Sequence, residues 1–133
     1  MTMTRYVVGP DVALLLAQQE ARIRREVTLL APTLMRSELL NLLFQLVGAR
    51  KMSKADAGKH LDYMRGLRIR LLGDRVLQAK AWQLADELGW PETFGPEYIA
   101  LTQLQADALV TTNSKLAAAA KRFVSVVPTK VLM

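Results

Sequence analysis

At 133 residues the chain is long enough for one domain with a hydrophobic core, and with 51% hydrophobic and 23% charged residues it is composed to fold rather than to stay disordered. It has no cysteine, which excludes disulfides, thiolate metal sites and a thiol nucleophile, and fits a reducing compartment. Lysine plus arginine outnumber acids 18 to 12, a net charge of +6 that draws polyanions at long range, with clusters at Arg22 to Arg25, Arg65 to Arg70 and Lys115 to Arg122.

Arg5 to Val8 is short and β-rich and predicts a first strand. Gly9-Pro10-Asp11 follows, and the same pattern recurs as Gly95-Pro96-Glu97. Glycine is tolerated at an N-cap, proline is favoured at the first helical position, and an acid suits the positive end of a helix. Both tripeptides therefore predict helix starts, the first opening a helix from Asp11 to about Gln19. Pro10 and Asp11 also interrupt the N-terminal apolar stretch, and no small-residue cleavage site follows, which argues against a signal peptide. Val27 to Leu30 predicts a strand stopped by Pro32. Thr33 is the expected cap of a long helix to about Val47, with Gly48 as its stop.

Ser53 with Asp56 resembles a capping box and predicts a helix to about Leu67. Arg68 to Leu72 alternates basic and apolar residues, as a strand with one open face does. Asp74 caps the next helix, which reaches Leu88 and stops at Gly89. Pro96 opens another, to about Gln105. A strand at Ala108 to Thr111, a helix at Ser114 to Lys121 and a strand at Phe123 to Val127 complete the chain. Short β-branched runs alternating with helices predict a parallel sheet covered on both faces. The longest apolar region, Leu39 to Ala49, contains Asn41 and Gln45 and is too short to span a bilayer, so a cytoplasmic protein is expected.

In such sheets ligands bind beyond the carboxyl ends of the strands. Three segments are expected to converge there: Gly9 to Asp11, Gly95 to Glu97, and Thr111-Thr112-Asn113. Glu38, Asn41 and Gln45 share one polar helical stripe, either a solvated face or a carboxylate at the mouth of the sheet. His60 is the lone histidine, so no His/Cys zinc site can form. There is no GxxxxGK[ST] and no GxGxxG. Trp82 and Trp90 are expected to pack at the core or its rim, and Met35, Met52 and Met64 to fill gaps.

Three stretches taken together, YVVGPDVALLLA, APTLMRSELLNLL and WPETFGPEYIALTQLQADALVTTNSKLA, resemble the PIN-domain family, in particular the VapC-like toxin ribonucleases of toxin–antitoxin pairs. The resemblance covers nearly the whole chain and implies one PIN-like domain over 1–133, an α/β/α sandwich with a central parallel sheet. It also implies Mg²⁺- or Mn²⁺-dependent RNA cleavage by four acids, a homodimer, and neutralisation by an antitoxin. Carboxylates suit hard cations, which position water and stabilise phosphate charge. On this chain the four acid positions fall on Gly9, Glu38, Gly95 and Asn113, so Glu38 is the retained acid.

Two accounts follow from that mismatch. In one, the site is degenerate and the cleft, stripped of carboxylates, is more positive and binds RNA or a protein partner, with Thr111, Thr112 and Lys115 as candidate RNA contacts. In the other, Asp11 and Glu97 join Glu38 and Asn113 as remodelled metal ligands. Two residues rotate a helical side chain by about 200°, which argues against simple substitution.

Overall fold

The first strand, β1 (Thr4–Val8), ends in two valines that face opposite ways, as successive strand residues must. Val7 joins Leu30 and Leu109 in one core cluster, and Val8 joins Leu29 and Val110 in another. This alternation divides the molecule into layers. The computed structural model describes residues 3–133. After β1 come α1 (Pro10–Gln18), β2 (Val27–Pro32), α2 (Met35–Gly48), α3 (Lys54–Gly66), β3 (Ile69–Leu72), α4 (Arg75–Leu88), α5 (Phe94–Gln105), β4 (Ala108–Val110), α6 (Ser114–Ala120) and β5 (Val126–Val127), then a short 3₁₀ turn over Thr129–Leu132.

The strands form one parallel sheet in the order β3-β2-β1-β4-β5. On the Val7 side the core is filled by Leu39 and Leu43 of α2, Leu77 and Leu84 of α4, and Ile99 to Leu101 of α5. On the Val8 side it is filled by Val12 and Leu16 of α1 and by Leu132. The result is the α/β/α arrangement expected, with helices on both faces of a parallel sheet.

Most helix starts follow the expected chemistry. Gly9 is the N-cap of α1 with Pro10 directly after it. Ser53 accepts from the Asp56 N–H at 3.0 Å, and Asp74 accepts from the Leu77 N–H at 2.9 Å. Gly89 ends α4 in the left-handed conformation, φ 67°, where glycine lacks the Cβ penalty.

Several expectations are corrected. Thr33 does not cap α2: Leu34 takes that position, and no side chain closes the cap. Gly48 is the last residue of α2 rather than the residue beyond it, and the left-handed turn falls at Arg50, whose φ is 58°. The second Gly-Pro-acid tripeptide does not start its helix, because α5 begins at Phe94 with Thr93 as N-cap. Gly95 and Pro96 therefore lie within the first turn, and the two tripeptides are not structural equivalents. Thr111 lies beyond the end of β4, and β5 is confined to Val126–Val127, because Phe123 and Val124 N–H groups still bond back to Ala120. Trp82 does not pack: it is 70% exposed.

Leu109, fully buried in β4 between β1 and β5, is the best probe of the sheet's core. Leu109→Ala should cost about 2–5 kcal/mol and Asp74→Ala about 1 kcal/mol, read as displaced midpoints in denaturant unfolding.

Candidate functional site

Strand order reverses direction at β1, which is flanked by β2 on one side and β4 on the other. A crevice opens beyond the carboxyl ends of β1 and β4, where an open α/β sheet places its ligands. The cleft measures about 460 Å³, and its walls come from the start of α1, the polar stripe of α2, the start of α5 and the start of α6. Gly9, Glu38, Gly95 and Asn113 all line it, as do Asn41 and Gln45. The polar stripe of α2 therefore faces the mouth of the sheet.

Asp11 lies in the first turn of α1, and its carboxylate reaches across to the chain leaving β4. Oδ2 accepts from Thr112 N at 2.7 Å, Thr112 Oγ1 at 2.8 Å and Thr111 Oγ1 at 3.1 Å. Thr111 Oγ1 in turn accepts from Asn113 N at 3.1 Å, and Asn113 Oδ1 caps α6 through Leu116 N at 2.9 Å. The two threonine hydroxyls, expected as RNA contacts, are thus directed at Asp11.

At the opposite wall, Glu92 closes the start of α5: its Oε2 accepts from Phe94 N at 2.6 Å and Gly95 N at 3.4 Å. Those are N–H groups that a helix leaves unpaired, and which would otherwise be available to an anion. Trp90 lies beside Gly95, and Lys115 Nζ sits 4.8 Å from the centre of its ring, a cation–π contact. Tyr98, 3% exposed, donates its hydroxyl to Glu38 Oε1 at 2.5 Å.

Burial raises Glu38 above the ordinary value of 4.5; the Tyr98 hydrogen bond opposes this, and the charges of Glu92 and Asp11 add to it. Glu97 is raised by burial and then by Glu38 and Glu92. Burial also pushes the Tyr98 hydroxyl up, with further help from its bond to Glu38, so it stays a neutral donor. Asp11, Glu38 and Glu92 line the cleft and Lys115 is its one basic lining residue, so the cleft is acidic. Glu92 adds a third carboxylate beside Asp11 and Glu38, so the cleft is less positive than the sequence alone suggests. Glu97 is near enough to feel Glu38 and Glu92 but does not line the cleft. Among the described residues, no three His, Asp or Glu side chains are grouped as a metal ion would require.

Trp90, Glu92 and Tyr98 were missed as site residues. Tyr98 lay within the stretch that carries the resemblance, three residues after Gly95 and so about one helical turn away. Glu92, two residues before Phe94, had the position of a capping acid once the true helix start is known.

No protein-family model and no curated protein matches the sequence. Solved structures do. The crystal structure of PAE2754 from Pyrobaculum aerophilum superimposes with a TM-score of 0.71 at 20% identity, over 98% of this chain and 93% of that one. VapBC2 from Rickettsia felis, bound to a DNA fragment from their promoter, matches with a TM-score of 0.61 at 14% identity, over 94% of this chain and 98% of that one. The chain has a PIN-like fold. Within that PIN-like fold, the four positions singled out by the sequence resemblance meet at one cleft, although they lie on four different helices or their caps.

A carboxyl group raised by folding stabilises the fold while protonated. That contribution is complete below 4.5 and is lost as pH rises through the raised folded value. Glu38→Gln, neutral at every pH, should therefore melt above wild type at pH 7, with the difference closing as the pH falls below 4.5. Parallel thermal melts at pH 4 and 7 measure it.

Proposed function

We propose that the chain is a VapC-like PIN domain that is a weak or inactive ribonuclease and acts by binding a protein partner of the antitoxin kind. The observation that carries this reading is the commitment of the cleft's oxygens. The resemblance implies Mg²⁺ or Mn²⁺, held by carboxylates. Here Gly9 and Gly95 offer no side-chain oxygen, Asp11 Oδ2 is taken by three donors, and Asn113 Oδ1 is taken by the α6 cap. Glu38 gives Oε1 to Tyr98. The residues present do not fit a divalent ion, which needs several free oxygens at close range.

The same geometry disfavours a remodelled nuclease built on Glu38, Asp11 and Glu97, since Asp11 is anchored away from free coordination and Glu97 lies outside the cleft wall. RNA is the weaker partner. Its phosphates would meet three carboxylates and one lysine at the cleft, a poor match without a bridging cation. A protein partner is supported by apolar residues that the fold leaves outside: Leu40 and Phe44, one turn apart on α2, are 57% and 76% exposed. The fold shared with the VapBC2 assembly supports it too. A homodimer in the cytoplasm is part of this proposal. No helix among the described residues is long and apolar enough to cross a membrane.

Calorimetric titration of the full chain with Mn²⁺ tests the reading. The expected result is no saturable uptake and no cleavage of a single-stranded RNA, with Glu38→Ala changing neither. Saturable uptake that Glu38→Ala abolishes, together with Mn²⁺-dependent cleavage, would establish the remodelled site instead. For the partner, a stable complex with the product of the adjacent gene is expected. Salt-sensitive RNA binding without such a complex would move the assignment to nucleic acid.

A further inference from the structure

Neither Gly9 nor Gly95 is demanded by its backbone. Gly9 has φ −101°, and positive φ among the glycines is confined to Gly89. Gly95 even lies inside the first turn of a helix, where glycine is disfavoured relative to alanine. The requirement is one of space. A Cβ built on Gly9 would lie 2.7 Å from Asp11 Oδ1, and one built on Gly95 would lie 2.7 Å from the Trp90 ring, with Leu116 Cδ1 at 3.5 Å. Contacts that short force a neighbour to move.

The two neighbours are held. Asp11 is pinned through Oδ2 by Thr111 and Thr112, so swinging Oδ1 away from position 9 breaks the hydrogen bonds that join α1 to the end of β4. Trp90 lies between Gly95 on one side and the Lys115 ammonium on its ring, and it packs on the core cluster beneath.

We infer that Asp11 and Trp90 are the residues that close this cleft to side chains at positions 9 and 95. Returning acids to those positions does not rebuild an acidic metal site while the two blockers stay in place. What separates this chain from a four-acid cleft is therefore two added obstacles as well as three absent carboxylates. This deepens the reading of the cleft as one without a metal, yet the closure would hold even if the wild-type chain took up Mn²⁺ through other oxygens. Its test reads stability and is separable from the titration above.

Alanine adds only the Cβ in question and is the minimal probe. Thermal melts of Gly95→Ala should show a loss of about 3 °C or more in the wild-type background. In the Trp90→Ala background the sign should reverse, because alanine is the better helix residue once the ring is gone. Gly9→Ala should lower Tm, and lower it less in the Asp11→Ala background. Equal shifts in both backgrounds at both positions would overturn the inference. As a second measurement, the triple variant Gly9→Asp, Gly95→Asp, Asn113→Asp should melt below wild type and take up no more Mn²⁺ than wild type. A triple variant with the wild-type Tm that binds Mn²⁺ would equally overturn it.

Discussion

The site is organised around a single carboxylate oxygen. Asp11 Oδ2 gathers one backbone N–H and two hydroxyls from Thr111 and Thr112, and so ties the first turn of α1 to the chain leaving β4. Hydrogen bonds to an ionised acceptor are among the stronger ones a protein makes. This one sits at the point where strand order reverses. The position of the Asn113 cap follows from it through Thr111, and so does the start of α6 that carries Lys115 toward Trp90.

The other wall obeys a related constraint. The first N–H groups of α5 have no partner within their own helix, and Glu92 supplies one. With Glu92 in place the chain enters α5 beside Trp90, and the ring occupies the space that a side chain at Gly95 would need. Each wall thus uses a carboxylate for structure, bonded to its own backbone. Glu38 is held between them by Tyr98, and burial and the charges of Glu92 and Asp11 oppose its ionisation.

Much of the frame was legible in the residues themselves. Alternating β-branched runs and helical stretches announced a parallel sheet with helices on both faces, and Ser53, Asp74 and Gly89 announced their caps, because those signals depend on neighbours a few residues apart. The convergence of Gly9, Glu38, Gly95 and Asn113 was legible as well, through topology and resemblance together. The failures were helix starts displaced by one or two residues from where their cap signals pointed. Thr33 has the chemistry of a cap, yet the chain enters α2 through Leu34. The second Gly-Pro-acid tripeptide reads like the first, yet Glu92 draws the start of α5 two residues earlier.

The sequence by itself determined the layered parallel architecture, the absence of thiol and His/Cys metal chemistry, and the non-acidic residues at three of the four positions where the resemblance places acids. Tertiary structure alone decided what surrounds those positions. Asp11 is hydrogen-bonded to residues some hundred positions away, Tyr98 meets Glu38 across sixty, and Glu92 joins Asp11 and Glu38 as a third carboxylate at the cleft. Side-chain direction and occupied space at a cleft are set by contacts between segments remote in the chain. The local spacings from which a sequence is read do not contain them.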